Sequence, residues 1–107
     1  MAQSVAVVRN TLSATLSGTA DFTKSGFGTP AAAIVIICEA GSVNNPSPNG
    51  SLSIGFWDGT SQAAIGIACE DNAGTSNTSR AASASAAIVR PQTSGSGAFN
   101  AAYTISN

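Results

Sequence analysis

The sequence predicts an all-β protein: an antiparallel β-sandwich, jelly-roll or immunoglobulin-like, with about seven to eight short strands. Apolar and polar residues alternate in several short segments, which is the period of a half-buried strand. Gly, Pro and Asn separate those segments, and no segment has the period of an amphipathic helix. The 107 residues are expected to form a single sandwich domain, residues 1–107, with a fragment of a longer chain as the alternative.

The first half of the chain is expected to supply three strands. Residues 5–8 are a Val-rich run, and residues 11–17 alternate between apolar and hydroxyl side chains. Glycines and a proline in residues 21–30 break the chain. Residues 31–38 are apolar on both faces, which predicts an interior strand covered on both sides. Residues 41–50 hold two prolines and are predicted to form an exposed loop.

The dipeptide Asp58-Gly59 predicts a tight β-hairpin. A two-residue type I′ turn needs positive φ at both central residues, and Asp-Gly suits it. Such a turn pairs Trp57 with Thr60 and fixes which residues share a face. One face then carries the large apolar side chains and is predicted to be the core face. Its members are Leu52, Ile54, Phe56, Ala63, Ile65 and Ile67.

The opposite face of this hairpin is small and nearly uncharged. Such a face either meets a second sheet or lies against a neighbouring subunit. We favour the subunit, because uncharged faces ending in an aromatic residue are typical of interface cores. The candidate interface residues are Ser53, Gly55, Trp57, Gln62, Ala64 and Gly66. Trp57 is also a candidate platform for stacking against a sugar, with an ordinary packing role as the alternative.

The second half of the chain continues the strand pattern. Residues 70–79 are polar and predict a turn. Residues 80–90 are rich in Ala and end in Ile-Val; their interleaved serines favour a strand over the helix that Ala alone would favour. Residues 91–97 predict a loop, and residues 99–105 alternate as a last strand.

Few residues of the chain have side chains suited to catalysis or metal binding. The chain has no His, five acidic and four basic residues, and 8% charged residues, against about 25% in ordinary soluble domains. Proton transfer and metal binding depend on His, Cys and clustered carboxylates. We therefore expect no enzymatic activity, no cofactor and no metal. Four scattered bases form no patch for nucleic acid, and no apolar run of about 20 residues exists for membrane insertion.

A few acidic and thiol groups were considered as sites. Glu70 and Asp71 are neighbours, and neighbours on a strand point to opposite faces, so they are not expected to act together in hydrolysis. Residues 71–74 match only half of a calcium-binding loop. Cys38 and Cys69 each close an apolar run and are predicted to be buried thiols, with a disulfide between adjacent strands as the alternative.

Three segments carry a recognisable pattern: GFGTPAAAIVI at 26–36, LSIGFWDGT at 52–60 and EDNAGTSNT at 70–78. Together they resemble a β-domain that recurs in structural proteins of tailed bacteriophages and related prophages. The resemblance covers residues 21–89. The sequence departs from the pattern after Pro30, where Ala31 stands in place of the usual Lys or Arg.

The resemblance implies a non-enzymatic virion component, either a capsid decoration protein or part of a tail fibre or appendage. Such a protein acts through self-association and surface display. Its implied partners are other virion proteins and copies of itself, as a trimer or larger oligomer, and its implied location is the virion, assembled in the bacterial host cytoplasm. A net charge of only −1 suits close packing against copies.

Two other functions compete with this reading. The first is a carbohydrate-binding module that recognises host surface glycans through Trp57 and the loops 41–50 and 70–79. The second is a hydrolase fragment that uses Glu70 and Asp71.

Overall fold

The computed structural model describes residues 4–10, 22–39, 50–70, 74, 77–91 and 99–106. Over these residues the chain contains six strands and no helix. The chain divides into two units, Met1–Pro30 and Ala31–Asn107, and all six strands belong to the second. The predicted all-β, antiparallel class is confirmed in this part of the chain.

The strands form two antiparallel sheets. The larger sheet has the order β1-β2-β3-β4, and the smaller pairs β5 with β6. The strand bounds are β1 Ala33–Glu39, β2 Gly50–Trp57, β3 Gln62–Glu70, β4 Asn77–Ser83, β5 Ile88–Pro91 and β6 Phe99–Tyr103.

The apolar segment 31–38 forms strand β1, but its predicted position was wrong. Within the part of the chain that the structure describes, β1 is an edge strand that pairs only with β2. Ile34 and Ile36 expose 69% and 68% of their surface. A strand that is apolar on both faces is covered on both only if other elements reach both sides of its sheet, and its own sequence does not specify that.

The hairpin between β2 and β3 has a longer loop than predicted. Trp57 pairs with Gln62, so residues 58–61 form the loop, and Gly59 in it has a φ of +94°. The Asp58 carboxylate accepts hydrogen bonds from the backbone nitrogens of Thr60, at 2.9 Å, and Ser61, at 2.7 Å. These bonds stabilise a wider turn. The register is shifted by two residues, which keeps every side chain on its predicted face.

Residues 80–90, predicted as one strand, are divided between two sheets. Strand β4 ends at Ser83, and β5 begins at Ile88 after a bend. At the bend the Ser85 backbone nitrogen donates to the Ser83 hydroxyl over 3.2 Å. Such side-chain-to-backbone bonds compete with a sheet ladder and favour turns. The polar turn predicted at 70–79 is correspondingly shorter, because β3 reaches Glu70 and β4 starts at Asn77.

The unit Met1–Pro30 contains no strand among its described residues, 4–10 and 22–30. The strand predicted at residues 5–8 is therefore absent, and the one predicted at 11–17 lies outside the described residues. A turn is present where glycine was expected to break the chain: the Phe27 nitrogen donates to the Lys24 carbonyl over 3.1 Å. Gly26 has φ +76°, which suits the third position of such a turn.

Candidate functional site

The small-residue face of β2 and β3 is buried by the chain's own strand β5. Strand β5 lies against β2, β3 and β4. On the covered face Trp57 and Ala64 are each 4% exposed, Ser53 is 5% exposed, and Gly55 and Gly66 are buried. The core cluster beneath is built from Ala64, Ala86 and Val89, with Ala81 packed against it. A second sheet, rather than a neighbouring subunit, therefore covers this face.

Two contacts show how closely β5 approaches β2. The Val89 backbone nitrogen donates to the Ser53 hydroxyl over 3.1 Å, and both residues are buried. At Gly55, an added Cβ would collide with the carbonyl oxygen of Ala87. Only small residues allow a second strand to lie this near the sheet. The small side chains that suggested an external interface are what this internal contact requires.

Gln62 holds the end of the chain to the same face. Its side-chain amide donates to the Ile105 carbonyl over 2.9 Å and accepts from the Ile105 nitrogen over 2.7 Å. This pair of bonds copies the pairing that a neighbouring strand would make, so Gln62 extends the ladder to a residue beyond β6. Both polar atoms of the Gln62 amide therefore bond within the chain and not to a neighbouring subunit.

Trp57 is not available as a sugar platform. A stacking platform must present a ring face to solvent, and the Trp57 residue is only 4% exposed. The loops proposed to accompany it, 41–50 and 70–79, lie largely outside the described residues. The packing alternative is the one the geometry supports.

The large apolar side chains of β1, β2 and β3 lie on the outer face of the sheet. We call this surface the apolar face. The prediction that it is the core face was wrong. Its exposed fractions are Ile34 69%, Ile36 68%, Leu52 41%, Phe56 53%, Ile65 62% and Ile67 49%, while Ile54 at the centre is half-buried.

The apolar face is large for a single chain. If each large side chain has a surface of about 200 Å², within the range that aromatic residues bury, the six exposed fractions correspond to about 700 Å² of surface. The largest apolar patch on a typical monomer is about 300–600 Å² and is often functional. This face is therefore a candidate interaction surface.

The apolar face is uneven from one side to the other. One cross-strand row contains Ile36, Ile54, Ile65 and Ala82, in the order β1 to β4. Ile34 and Ile36 of β1, which we call the ridge, are the two most exposed large side chains of this face, whereas β4 contributes only the small Ala82 to the row. A shallow groove results. It is lined by Leu52, Ile54, Ile65, Gly66, Ile67, Arg80, Ala81 and Ala82.

The two cysteines lie at one end of the apolar face. Cys38 continues the alternation of Ile34 and Ile36, Cys69 continues that of Ile65 and Ile67, and both are exposed. Strand β2 separates their strands, so they are not on the adjacent strands that a disulfide would need. The structure contains two thiols instead of a disulfide, and the prediction that they are buried was wrong.

The structure describes only some of the acidic residues of the chain. Asp58 and Glu70 are exposed, and Asp71 lies outside the described residues. No group of three or more His, Cys, Asp or Glu residues that could hold a metal comes together in the same part. Hydrogen bonds from Ser61 and then Thr60 lower the pKa of Asp58 below its ordinary 3.8, which fits a structural role in the turn. No helix among the described residues is long and apolar enough to cross a membrane.

Comparison of the chain with protein-family models, with curated proteins and with solved structures finds no match. The evidence for the candidate site therefore comes from the structure of this chain alone.

Sequence reasoning found the members of the apolar face on β2 and β3 but assigned them the wrong environment. The alternation along β2 and β3 identifies which side chains lie together. What it missed is the contribution of β1 and of Ala82 to the same surface, which depends on the order of strands in the sheet. Two signals were available in the sequence: the large apolar residues Ile34 and Ile36 in segment 31–38, and the small residues at 81–83.

Proposed function

We propose that this chain is a non-enzymatic structural protein that acts by self-association, and that it is a component of a bacteriophage virion. The observation that carries the assembly role is the apolar face: six large side chains are 41–69% exposed. A surface of this kind is stable in water when another protein surface covers it. The bacteriophage assignment rests on the resemblance in residues 26–36, 52–60 and 70–78.

The composition supports the same role. With 8% charged residues and a net charge of −1, repulsion between copies is weak. We propose that the chain is displayed either as a capsid decoration protein or as part of a tail fibre or appendage. We further propose that the strands of one chain together form an antiparallel β-sandwich, as the sequence predicts.

Native mass tests the assembly role. We expect the untagged wild-type chain to elute as a discrete oligomer in size-exclusion chromatography with light scattering. Ile36→Lys, which puts a charge on the apolar face, should lower the mass to that of one chain. Val7→Lys is the matched control, because Val7 is 90% exposed and lies outside the face. A wild-type chain that stays monomeric up to millimolar concentration would contradict the proposed function.

The virion assignment needs a separate test. Mass spectrometry of density-purified phage particles from a host whose phage encodes this chain should detect it at a copy number comparable to other structural proteins. Its presence in the lysate but not in the particles would contradict the virion role and leave the assembly role standing.

A further inference from the structure

The apolar face has the shape and the chemistry of a surface that pairs with itself. Its area, about 700 Å², is close to the roughly 800 Å² that each partner contributes to a standard stable interface. Its exposed large side chains are aliphatic or aromatic and carry no charge. These uncharged side chains need no complementary charge on their partner, so a second copy is a suitable occupant.

The ridge and the groove make the face complementary to its own copy. In one row, β1 carries the large, exposed Ile36 and β4 carries the small Ala82, with Ile54 and Ile65 between them. A two-fold rotation about an axis parallel to the strands, between β2 and β3, lays β1 of one copy over β4 of the other. The ridge of each copy then lies against the groove of the other copy. An isologous interface requires this kind of self-complementarity.

We propose that two copies of this chain pack face to face through the apolar faces of their four-stranded sheets, with the β1 ridge of each copy against the groove that β2, β3 and β4 of its partner line. This inference rests on the proposed function and names its interface. Two sheets packed about 10 Å apart with aligned strands form a sandwich. The pairing therefore forms a sandwich between two chains, in addition to the cover that β5 provides on the opposite face within each chain.

The position of the one charged side chain that lines the groove agrees with this arrangement. Arg80 lies on β4, in the row that also contains Cys38, Leu52 and Ile67. The rotation places the two Arg80 side chains at opposite edges of the interface. Each remains at the solvated rim, where charge is tolerated, and the two do not face each other.

Cross-linking between single-cysteine proteins tests the geometry. In a Cys38→Ser, Cys69→Ser background, Ile36→Cys and Ala82→Cys are prepared separately, one of them labelled with ¹⁵N. After subunit exchange, a short bis-maleimide should link the two proteins to each other in at least tenfold excess over either protein linked to itself. Ile36→Cys mixed with Thr60→Cys is the matched control, because Thr60 is exposed in the hairpin loop, and it should give only background.

Each other outcome overturns the pairing in a distinguishable way. A dominant Ile36→Cys self-link would mean that β1 lies over β1, which contradicts the ridge-in-groove arrangement. An oligomer that gives neither link, that survives Ile36→Lys, or that contains three copies places the interface elsewhere and leaves self-association standing. A chain that stays monomeric up to millimolar concentration would have no such interface. That result, unlike the others, also contradicts the proposed function.

Discussion

Asp58 stabilises the hairpin loop as a charged hydrogen-bond acceptor. Its carboxylate accepts from the backbone nitrogens of Ser61 and Thr60, and these bonds lower its pKa below the ordinary 3.8. Since the folded pKa is the lower one, the unfolded chain binds the proton first as the pH falls. The contribution of Asp58 is therefore complete above the unfolded pKa and is lost as the pH falls through the folded value.

Asp58→Asn should remove this part of the acid sensitivity. The amide keeps an acceptor oxygen for both backbone donors but does not titrate. We expect the free energy of unfolding of the wild-type chain to fall more steeply below about pH 4 than that of the variant, because the carboxyl group begins to protonate there. Urea titrations at intervals between pH 2 and pH 7 measure the difference. Parallel curves for the two proteins would mean that the carboxylate bonds contribute nothing to folding.

Gly55 is required by a close backbone approach and not by an unusual φ. A Cβ at this position would overlap the Ala87 carbonyl, so β5 would have to move away from the sheet. Gly55→Ala should lower the free energy of unfolding by about 3 kcal/mol, the size of a severe overpacking defect. Gly74→Ala is the matched control, since a Cβ there meets nothing within 4 Å, and its effect should stay within about 0.5 kcal/mol. Equal effects in chemical denaturation would show that β5 does not lie over Gly55.

At the scale of elements, a buried hydrogen bond joins β2 of the larger sheet to β5 of the smaller one. The Ser53 hydroxyl of β2 accepts from the Val89 nitrogen of β5, and Val89 is fully buried. Removing the acceptor would leave a backbone donor without a partner in a dry site. That penalty is larger than the net value of an ordinary hydrogen bond.

Ser53→Ala should therefore destabilise the fold by about 2 kcal/mol. Ser79→Ala is an informative comparison: Ser79 is also buried, at 8% exposure, but its hydroxyl has no partner within the described part of the chain. The Ser79 variant should be as stable as the wild type or more stable, because it removes an unsatisfied polar group. Thermal unfolding followed by circular dichroism measures both, and a reversed order would contradict the docking of β5 on β2.

Some features of the strands and turns could be predicted from the sequence, and others could not. The strands, the hairpin and the sharing of faces along β2 and β3 follow from alternation and turn residues. The loop length does not, because the side-chain bonds of Asp58 compete with the tighter turn that Asp-Gly also permits. The division of residues 80–90 was missed for a similar reason: a serine hydroxyl that bonds to the backbone makes a bend without any Gly or Pro.

At the scale of the whole molecule, the sheet has its small side chains inside and its large ones outside. Alternation predicts two faces but does not say which of them the rest of the chain covers. Strand β5 comes so close at Gly55 and Ser53 that it fits only the small-residue face. Hydrophobicity alone assigns the large side chains to the core of one chain, whereas a protein that assembles has a second interior, between copies, to which they can belong.

Neighbouring positions on β3 test this inside-out arrangement most directly. Ala64 is 4% exposed and Ile65 is 62% exposed. A lysine substitution at each position therefore places a charge on one or the other face of the same strand. The measurement is the free energy of unfolding in urea, at low protein concentration so that association contributes little. We predict that Ile65→Lys stays within about 1 kcal/mol of the wild type, whereas Ala64→Lys loses at least about 3 kcal/mol because it buries an unpaired charge. A tolerated Ala64→Lys together with an unfolded Ile65→Lys would place the core on the other face and contradict the account.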